Sequence, residues 1–211
     1  MARERLKSPR ARLFVALDLP ERVRDRLAAW QQAECVDQAL RPVAPQALHV
    51  TLCFLGYHPE RLIARIAELL ASVETRPCEL RFEREPVALP ATKPRLFAAG
   101  AESPATVELQ AALARTLVDE RLYELEKRPF WPHVTVARVQ AERVRGRRSG
   151  RRRGEPRRLE RAPGPLPKAL LEPFSGVRLA LYRSILKPQG VEYVSLAGVD
   201  LPPAEGDRRG D

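Results

Sequence analysis

The sequence predicts an α+β protein built from two related halves, and three observations carry that prediction. His49-Val50-Thr51-Leu52 returns 84 residues later as His133-Val134-Thr135-Val136, in a chain of 211 residues with only three histidines. Arg12-Leu13-Phe14 returns 83 residues later as Arg95-Leu96-Phe97. In each half a stretch with helical apolar spacing lies between the two strand-like segments. The near-equal offsets indicate one duplicated strand–helix–strand unit, present as two copies rather than as a solenoid array.

Residues 1–10 read as a solvated tail. Arg12 to Leu19 alternates as a strand, with Leu13, Val15 and Leu17 on one face and Phe14, Ala16 and Asp18 on the other. Pro20 is well placed to open a helix over 21–32. Pro42 and Pro45 interrupt the stretch 33–47, and the first motif strand then runs over about 47–55 to end at Gly56. Leu62, Ile63, Ile66, Leu69, Leu70 and Val73 fall on one stripe of a helix over 60–73. Glu79 to Leu89 reads as one or two strands broken near Pro86, and the unit begins again at Pro94. A second helix over 103–119 and a second motif strand over 130–139 complete the copy. A short helix over 167–172, a strand over 176–186, a turn at Pro188-Gln189-Gly190 and a last strand over 191–201 follow.

Composition narrows the class. At 44% hydrophobic residues, the chain has enough apolar material for one substantial core or two small lobes sharing one. No apolar run approaches the 18 or so residues a membrane helix needs, and the charged start lacks the apolar stretch of a secretory signal. Cys35, Cys53 and Cys78 are few, odd in number and widely spaced, so they read as reduced thiols in a cytoplasmic protein. The net charge of +10 is uneven: residues 143–161 hold ten arginines and two glutamates. That segment reads as a mobile loop. It is either a clamp for an RNA backbone or a solvated loop in a chain that uses 32 arginines against five lysines.

In each motif strand His and Thr share one face, while Val and the next aliphatic residue take the other. The imidazole and the hydroxyl then lie roughly 6–7 Å apart along the strand, within reach of one small anion. Brought together about a pseudo-twofold, two such strands face two imidazoles across a cleft. One neutral His can take a proton from water while the other, charged, protonates a departing oxygen at phosphorus. A histidine pKa near 6.5 permits that division of labour around pH 7. The threonine hydroxyls can hold the non-bridging oxygens. No metal is required. Cys53 lies on the His49 face by simple alternation and reads as cleft-floor packing.

These residues resemble the paired His-x-Thr-x motifs of the two-histidine phosphoesterase superfamily. Within it they are most similar to the bacterial and archaeal RNA 2′,3′-cyclic phosphodiesterases, also called 2′-5′ RNA ligases (LigT or ThpR type). Further matches are Arg12 to Leu17, Leu48 to Gly56, Arg128-Pro129-Phe130, Pro132 to Arg138, Leu181-Tyr182-Arg183-Ser184, Gly190 and Tyr193. The resemblance spans about residues 11–201. It implies a single two-lobed domain over 1–211, with two antiparallel sheets, flanking helices related by a pseudo-twofold, and the active-site cleft between them. It also implies that His49 is the proton donor to the leaving 3′ oxygen and His133 the proton acceptor that activates water. Thr51 and Thr135 would bind the phosphate, and the product would be a 2′-phosphate end. The expected partner is RNA ending in a 2′,3′-cyclic phosphate, with no cofactor, no membrane and a monomeric chain. The near-symmetric frames do not themselves say which histidine is acid and which is base.

Four further residues are candidates for substrate contact. Phe14 and Phe130 could stack on a base, with core packing the alternative for Phe14. Arg138 lies an odd number of residues from His133, so reaching the cleft requires a bend or a bulge. Tyr182 either hydrogen-bonds in the site or fills the core. Trp131 is expected to pack and His58 to lie at the surface. Two other functions use the same residues: the reverse reaction, joining a cyclic end to a 5′-hydroxyl, and RNA binding without turnover.

Overall fold

A computed structural model describes residues 9–141, 154–187 and 190–203. The first unit is strand β1 (Arg10–Asp18), helix α1 (Glu21–Glu34), the short β2 (Leu40–Pro42) and motif strand β3 (His49–Pro59). Helix α2 (Ile63–Ser72), β4 (Glu79–Phe82) and β5 (Val87–Leu89) lead to the second unit: β6 (Leu96–Glu102), α3 (Pro104–Asp119) and motif strand β7 (His133–Val139). The chain closes with β8 (Phe174–Ser175), β9 (Arg178–Lys187) and β10 (Gly190–Asp200).

The strands pair antiparallel in the order β10-β9-β1-β3-β7-β6-β4-β8, with β2 added to β7 and β5 to β6. The order is palindromic about its centre: the motif strands lie innermost, β1 and β6 flank them, and β9 and β4 come next. The expected halves are therefore present, but they are joined into one path where Val50 pairs with Val134. Helices α1 and α3 reach across that junction, α1 packing on β7 and α3 on β3, while α2 packs on β9 and β10. No helix among the described residues is long and apolar enough to cross a membrane.

The core follows the apolar faces read from the sequence. Leu13, Val15 and Leu17 of β1 are fully buried, as are Val50, Val134 and Val136. On α2, Ile66, Leu69 and Leu70 are buried. Ser103 caps α3 by accepting from the Thr106 amide (3.2 Å), with Pro104 in the first turn.

Several boundaries differ from expectation. Strand β3 does not stop at Gly56; it runs on to Pro59. Gly56 has φ +76°, which a glycine adopts without strain, and the adjacent register shift lets the pairing with β1 continue. The strand expected over 130–139 starts only at His133. The helix expected over 167–172 is a single 3₁₀ turn, Lys168–Leu170, after Pro167. Residues 142–153, most of the arginine-rich segment, lie outside the described residues. From Arg157 the chain is held rather than loose: Arg157 N donates to Gln140 O (2.8 Å), and the amides of Glu160 and Arg161 donate to Asp37 Oδ2 (2.7 and 2.8 Å).

The Arg-Leu-Phe echo is one residue out of structural register. Phe14 pairs with Phe54, whereas Phe97 pairs with Ala137. Phe54 and Arg138 are the positions 84 apart, and Arg138 pairs with Leu96. Leu96 is thus the counterpart of Phe14, and Phe97 turns into the core instead of toward the cleft.

Candidate active site

The Val50–Val134 pairing fixes the geometry of the site. In an antiparallel pair, extending that register by one residue each way sets His49 opposite Thr135 and Thr51 opposite His133. Directly opposed side chains on one face lie about 4.5–5.5 Å apart. The four polar side chains therefore form a square, with the two imidazoles on one diagonal and the two hydroxyls on the other. All four line a single small pocket of about 60 Å³, with Val43, Ala47, Arg138 and Tyr193 completing its wall.

Both rings are anchored in the same way. His133 Nδ1 lies 2.8 Å from the carbonyl oxygen of Trp131, and the His49 ring hydrogen-bonds the carbonyl of Ala47. Each partner is two residues upstream. A carbonyl only accepts, so Nδ1 of His133 carries the proton and Nε2 is left for chemistry.

Aromatic rings back both imidazoles. Trp131 stacks on His133 with centroids 4.7 Å apart. Phe14 stacks on His49 at 5.1 Å and on Tyr182 at 5.3 Å, and Tyr193 meets His49 edge-on at 5.3 Å. Burial pushes the His49 pKa down to about 4, against the hydrogen bond to Ala47, and the neighbouring Arg138 guanidinium and His133 add to the depression.

Arg138 reaches the pocket through a β-bulge. Ala98 pairs with Thr135 and Phe97 with Ala137, which leaves Val136 unpaired. That extra residue flips the alternation and turns Arg138 to the cleft face. Strand β3 carries the same device at Leu52, between Thr51, paired with Ala16, and Cys53, paired with Val15.

The bulge corrects the placement of Cys53. It is fully buried among core residues and accepts a hydrogen bond from Gln110 of α3, so it does not floor the cleft. Burial raises its thiol pKa to about 12, so it stays protonated.

Two aromatic candidates also change role. Phe14 is only 3% exposed, packed in one ring cluster with His49 and Tyr182, so it is not open for a base to stack on. Phe130 packs against the core and does not line the pocket. The Tyr182 hydroxyl donates to Asp18 Oδ1 (2.8 Å), while Arg178 Nε donates to Asp18 Oδ2 (2.9 Å). Its ring supports Phe14 and its hydroxyl belongs to that ion pair. His58 is half-buried rather than superficial, with Nε2 3.1 Å from Leu55 O. Sequence reasoning missed the ring contacts of Trp131 and Tyr193. Their aromatic character beside a motif strand and in the final strand was the available signal. Among the described residues no three His, Cys, Asp or Glu side chains gather as a metal would need.

Comparison with known proteins gives the family and the fold. The model of the 2′-5′ RNA ligase superfamily matches residues 19–150. A Thermus thermophilus protein named RNA 2′,3′-cyclic phosphodiesterase is 34% identical over 204 residues, 92% of each chain. The Escherichia coli protein of the same name is 29% identical over 63% of this chain and 74% of its own length. A crystal structure of a Thermus thermophilus protein superposes with a TM-score of 0.69 at 30% identity, covering 90% of this chain and 97% of that one. E. coli LigT complexed with 3′-AMP shares the fold, with a TM-score of 0.68 at 24% identity over 92% and 99% of the two chains. With the family model spanning most of the first unit, the whole of the second and both motifs, the chain belongs to the 2′-5′ RNA ligase superfamily.

Proposed function

We propose that the protein hydrolyses 2′,3′-cyclic phosphate ends of RNA to 2′-phosphate ends, by acid–base catalysis between His49 and His133 with no metal. The observation that carries this reading is the pairing of Val50 with Val134, which sets both His/Thr pairs around one pocket. The pocket is the size of a phosphate group rather than of a nucleoside. In the proposed reaction His133 Nε2 takes a proton from water as its oxygen attacks phosphorus. The P–O3′ bond breaks, and His49 delivers a proton to the leaving 3′ oxygen. Thr51, Thr135 and Arg138 hold the non-bridging oxygens and offset the charge that builds on them. The Trp131 and Ala47 carbonyls fix the ring orientations, so little reorganisation accompanies each transfer.

His49 is neutral in the free pocket near pH 7, because its pKa is depressed to about 4. A donor role requires that the bound phosphodiester, an anion beside Arg138 and His49, bring the imidazolium back. The names of the relatives from Thermus thermophilus and Escherichia coli, RNA 2′,3′-cyclic phosphodiesterase, support the substrate.

The test is turnover of a nucleoside 2′,3′-cyclic phosphate in chelator, with 2′- and 3′-phosphate products resolved. Wild-type protein is expected to yield the 2′-phosphate. His49→Ala and His133→Ala are each expected to lose about 10²–10⁴ in kcat. RNA binding without turnover in chelator defeats the proposal.

A further inference from the structure

A larger groove of about 510 Å³ adjoins the catalytic pocket and shares Arg138 and Tyr193 with it. We propose that this groove is a second phosphate subsite, in which Arg41 takes the 5′-phosphate of the nucleotide whose cyclic phosphate is being opened. The inference rests on the function proposed above and adds a second recognition element: a 5′-phosphate on the terminal nucleotide, which a bare nucleoside cyclic phosphate lacks.

Three observations carry it. The first is size and continuity. A pocket of about 60 Å³ cannot enclose a ribose and base, so the rest of the ligand has to leave through a neighbouring opening, and this groove meets the pocket at Arg138 and Tyr193.

The second is charge. Arg41 of β2 lies directly opposite Arg138 of β7 in the strand register. Like charges directly opposed across a strand pair destabilise it, yet both side chains are exposed and neither has a carboxylate partner among the described residues. A substrate with a phosphate at each end relieves that repulsion: Arg138 keeps the cyclic phosphate, and Arg41 takes the 5′-phosphate through charge-assisted hydrogen bonds. Lys187 and Glu192 also line the groove, but they pair with each other, which leaves the two arginines as its unbalanced charge.

The third is the apolar part of the lining. Pro42, Val43 and Val191, with the Tyr193 ring, line the same groove and offer a surface for a ribose or base.

Two substrates differing only at the 5′ end decide the matter: adenosine 2′,3′-cyclic phosphate with and without a 5′-phosphate. Wild-type protein is expected to show a tenfold or greater advantage in kcat/KM for the 5′-phosphorylated form, mostly in KM. Arg41→Gln is expected to erase that advantage and leave the unphosphorylated substrate within about twofold. Calorimetric binding of adenosine 2′,5′-bisphosphate against 2′-AMP provides an arm independent of turnover. Tenfold tighter binding of the bisphosphate, weakened by salt and lost in Arg41→Gln, supports the subsite. Equal binding of the two ligands by wild type, or a preference that survives Arg41→Gln, overturns it. If wild-type protein hydrolyses neither cyclic substrate, the function proposed above fails, while the binding arm still decides the groove.

Discussion

Leu52 and Val136 hold the same place in the two halves: each is the unpaired residue of a β-bulge directly after a motif threonine. The duplication thus extends to a backbone irregularity as well as to the side chains. Its consequence falls five residues after each histidine, where strict alternation would point away from the cleft. The bulge turns Phe54 and Arg138 outward instead, and both side chains are exposed. The halves are symmetric in histidine and threonine but not here. Phe54 carries the Arg12 guanidinium 4.6 Å above its ring, while Arg138 lines the pocket of the two histidines and two threonines. A single cation on one side gives a near-symmetric site its polarity.

Arg138→Met is therefore expected to lower kcat/KM on a cyclic nucleotide by about 10²–10³, the usual loss when one preorganised donor to a transition-state oxygen is removed. Arg138→Lys is expected to recover only part of this, because an ammonium does not reproduce the planar fork of a guanidinium. The side chain is exposed, so the thermal unfolding midpoint should move little. Steady-state kinetics with parallel calorimetry check both. A loss below threefold in Arg138→Met would remove the arginine from the phosphate site.

Gln31 holds one bulge in place. It is 3% exposed, and its Nε2 donates to Val43 O (3.0 Å) and to Val136 O (2.5 Å), the carbonyl of the bulged residue itself. Helix α1 of the first half thereby fixes the strand that carries His133 and Arg138. Gln31→Leu keeps much of the volume but leaves the Val43 carbonyl without that partner. The expected cost is about 1–3 kcal/mol in urea denaturation, with a drop in kcat at temperatures where the protein stays folded. Full stability in Gln31→Leu would show that the bulge is held by the Val43 N to Val136 O bond (2.9 Å) alone.

The paired site was legible in the sequence because period-two alternation acts locally: His49 and Thr51 share a face whatever happens elsewhere. The buried stripe of α2 and the inner face of β1 were legible for the same reason. The bulges were not, since one extra residue in a strand leaves no mark in composition. That omission misplaced Cys53, while Arg138 was left dependent on a bend that the sequence could not locate. The Arg-Leu-Phe echo suggested the duplication correctly but aligned β6 one residue off, because pairing with β7 and not residue identity sets the register. The contacts of Tyr182 were hidden by distance: its partner Asp18 lies 164 residues away.

Tyr182→Phe separates support from catalysis. The hydroxyl donates to Asp18 Oδ1, and Arg178 Nη2 lies 3.4 Å from the hydroxyl oxygen. Burial, followed by the Asp18 contact, raises the phenol pKa, so it remains a protonated donor. Removing the hydroxyl deprives a nearly buried carboxylate of one partner, at a cost of about 1–2 kcal/mol given the remaining Arg178 bond. The ring still backs Phe14, so kcat is expected to stay within about twofold of wild type. A loss of 10²-fold at unchanged stability would place the hydroxyl on substrate.

The His49 titration links stability to mechanism. Its pKa of about 4 in the folded protein lies below the 6.5 expected of an unfolded chain. Between those values the unfolded chain binds a proton that the folded protein does not, so stability falls as pH drops through the window from 6.5 to about 4 and levels off below it. The contribution is at most about 3 kcal/mol, and His49→Gln should remove it and flatten that part of the stability profile. In the free protein the His49 ring resonance should titrate well below pH 6.5 by NMR, and inorganic phosphate should move the midpoint upward by setting an anion against Arg138 and the ring. With His49 as donor, kcat/KM reports the free protein and should begin to fall, as pH rises, well below pH 6.5. In kcat, which reports the complex, the same descending limb should lie at higher pH. An ascending limb near pH 4 in kcat/KM that disappears in His49→Gln would instead make His49 the base, exchanging the roles of the two histidines while leaving the site intact.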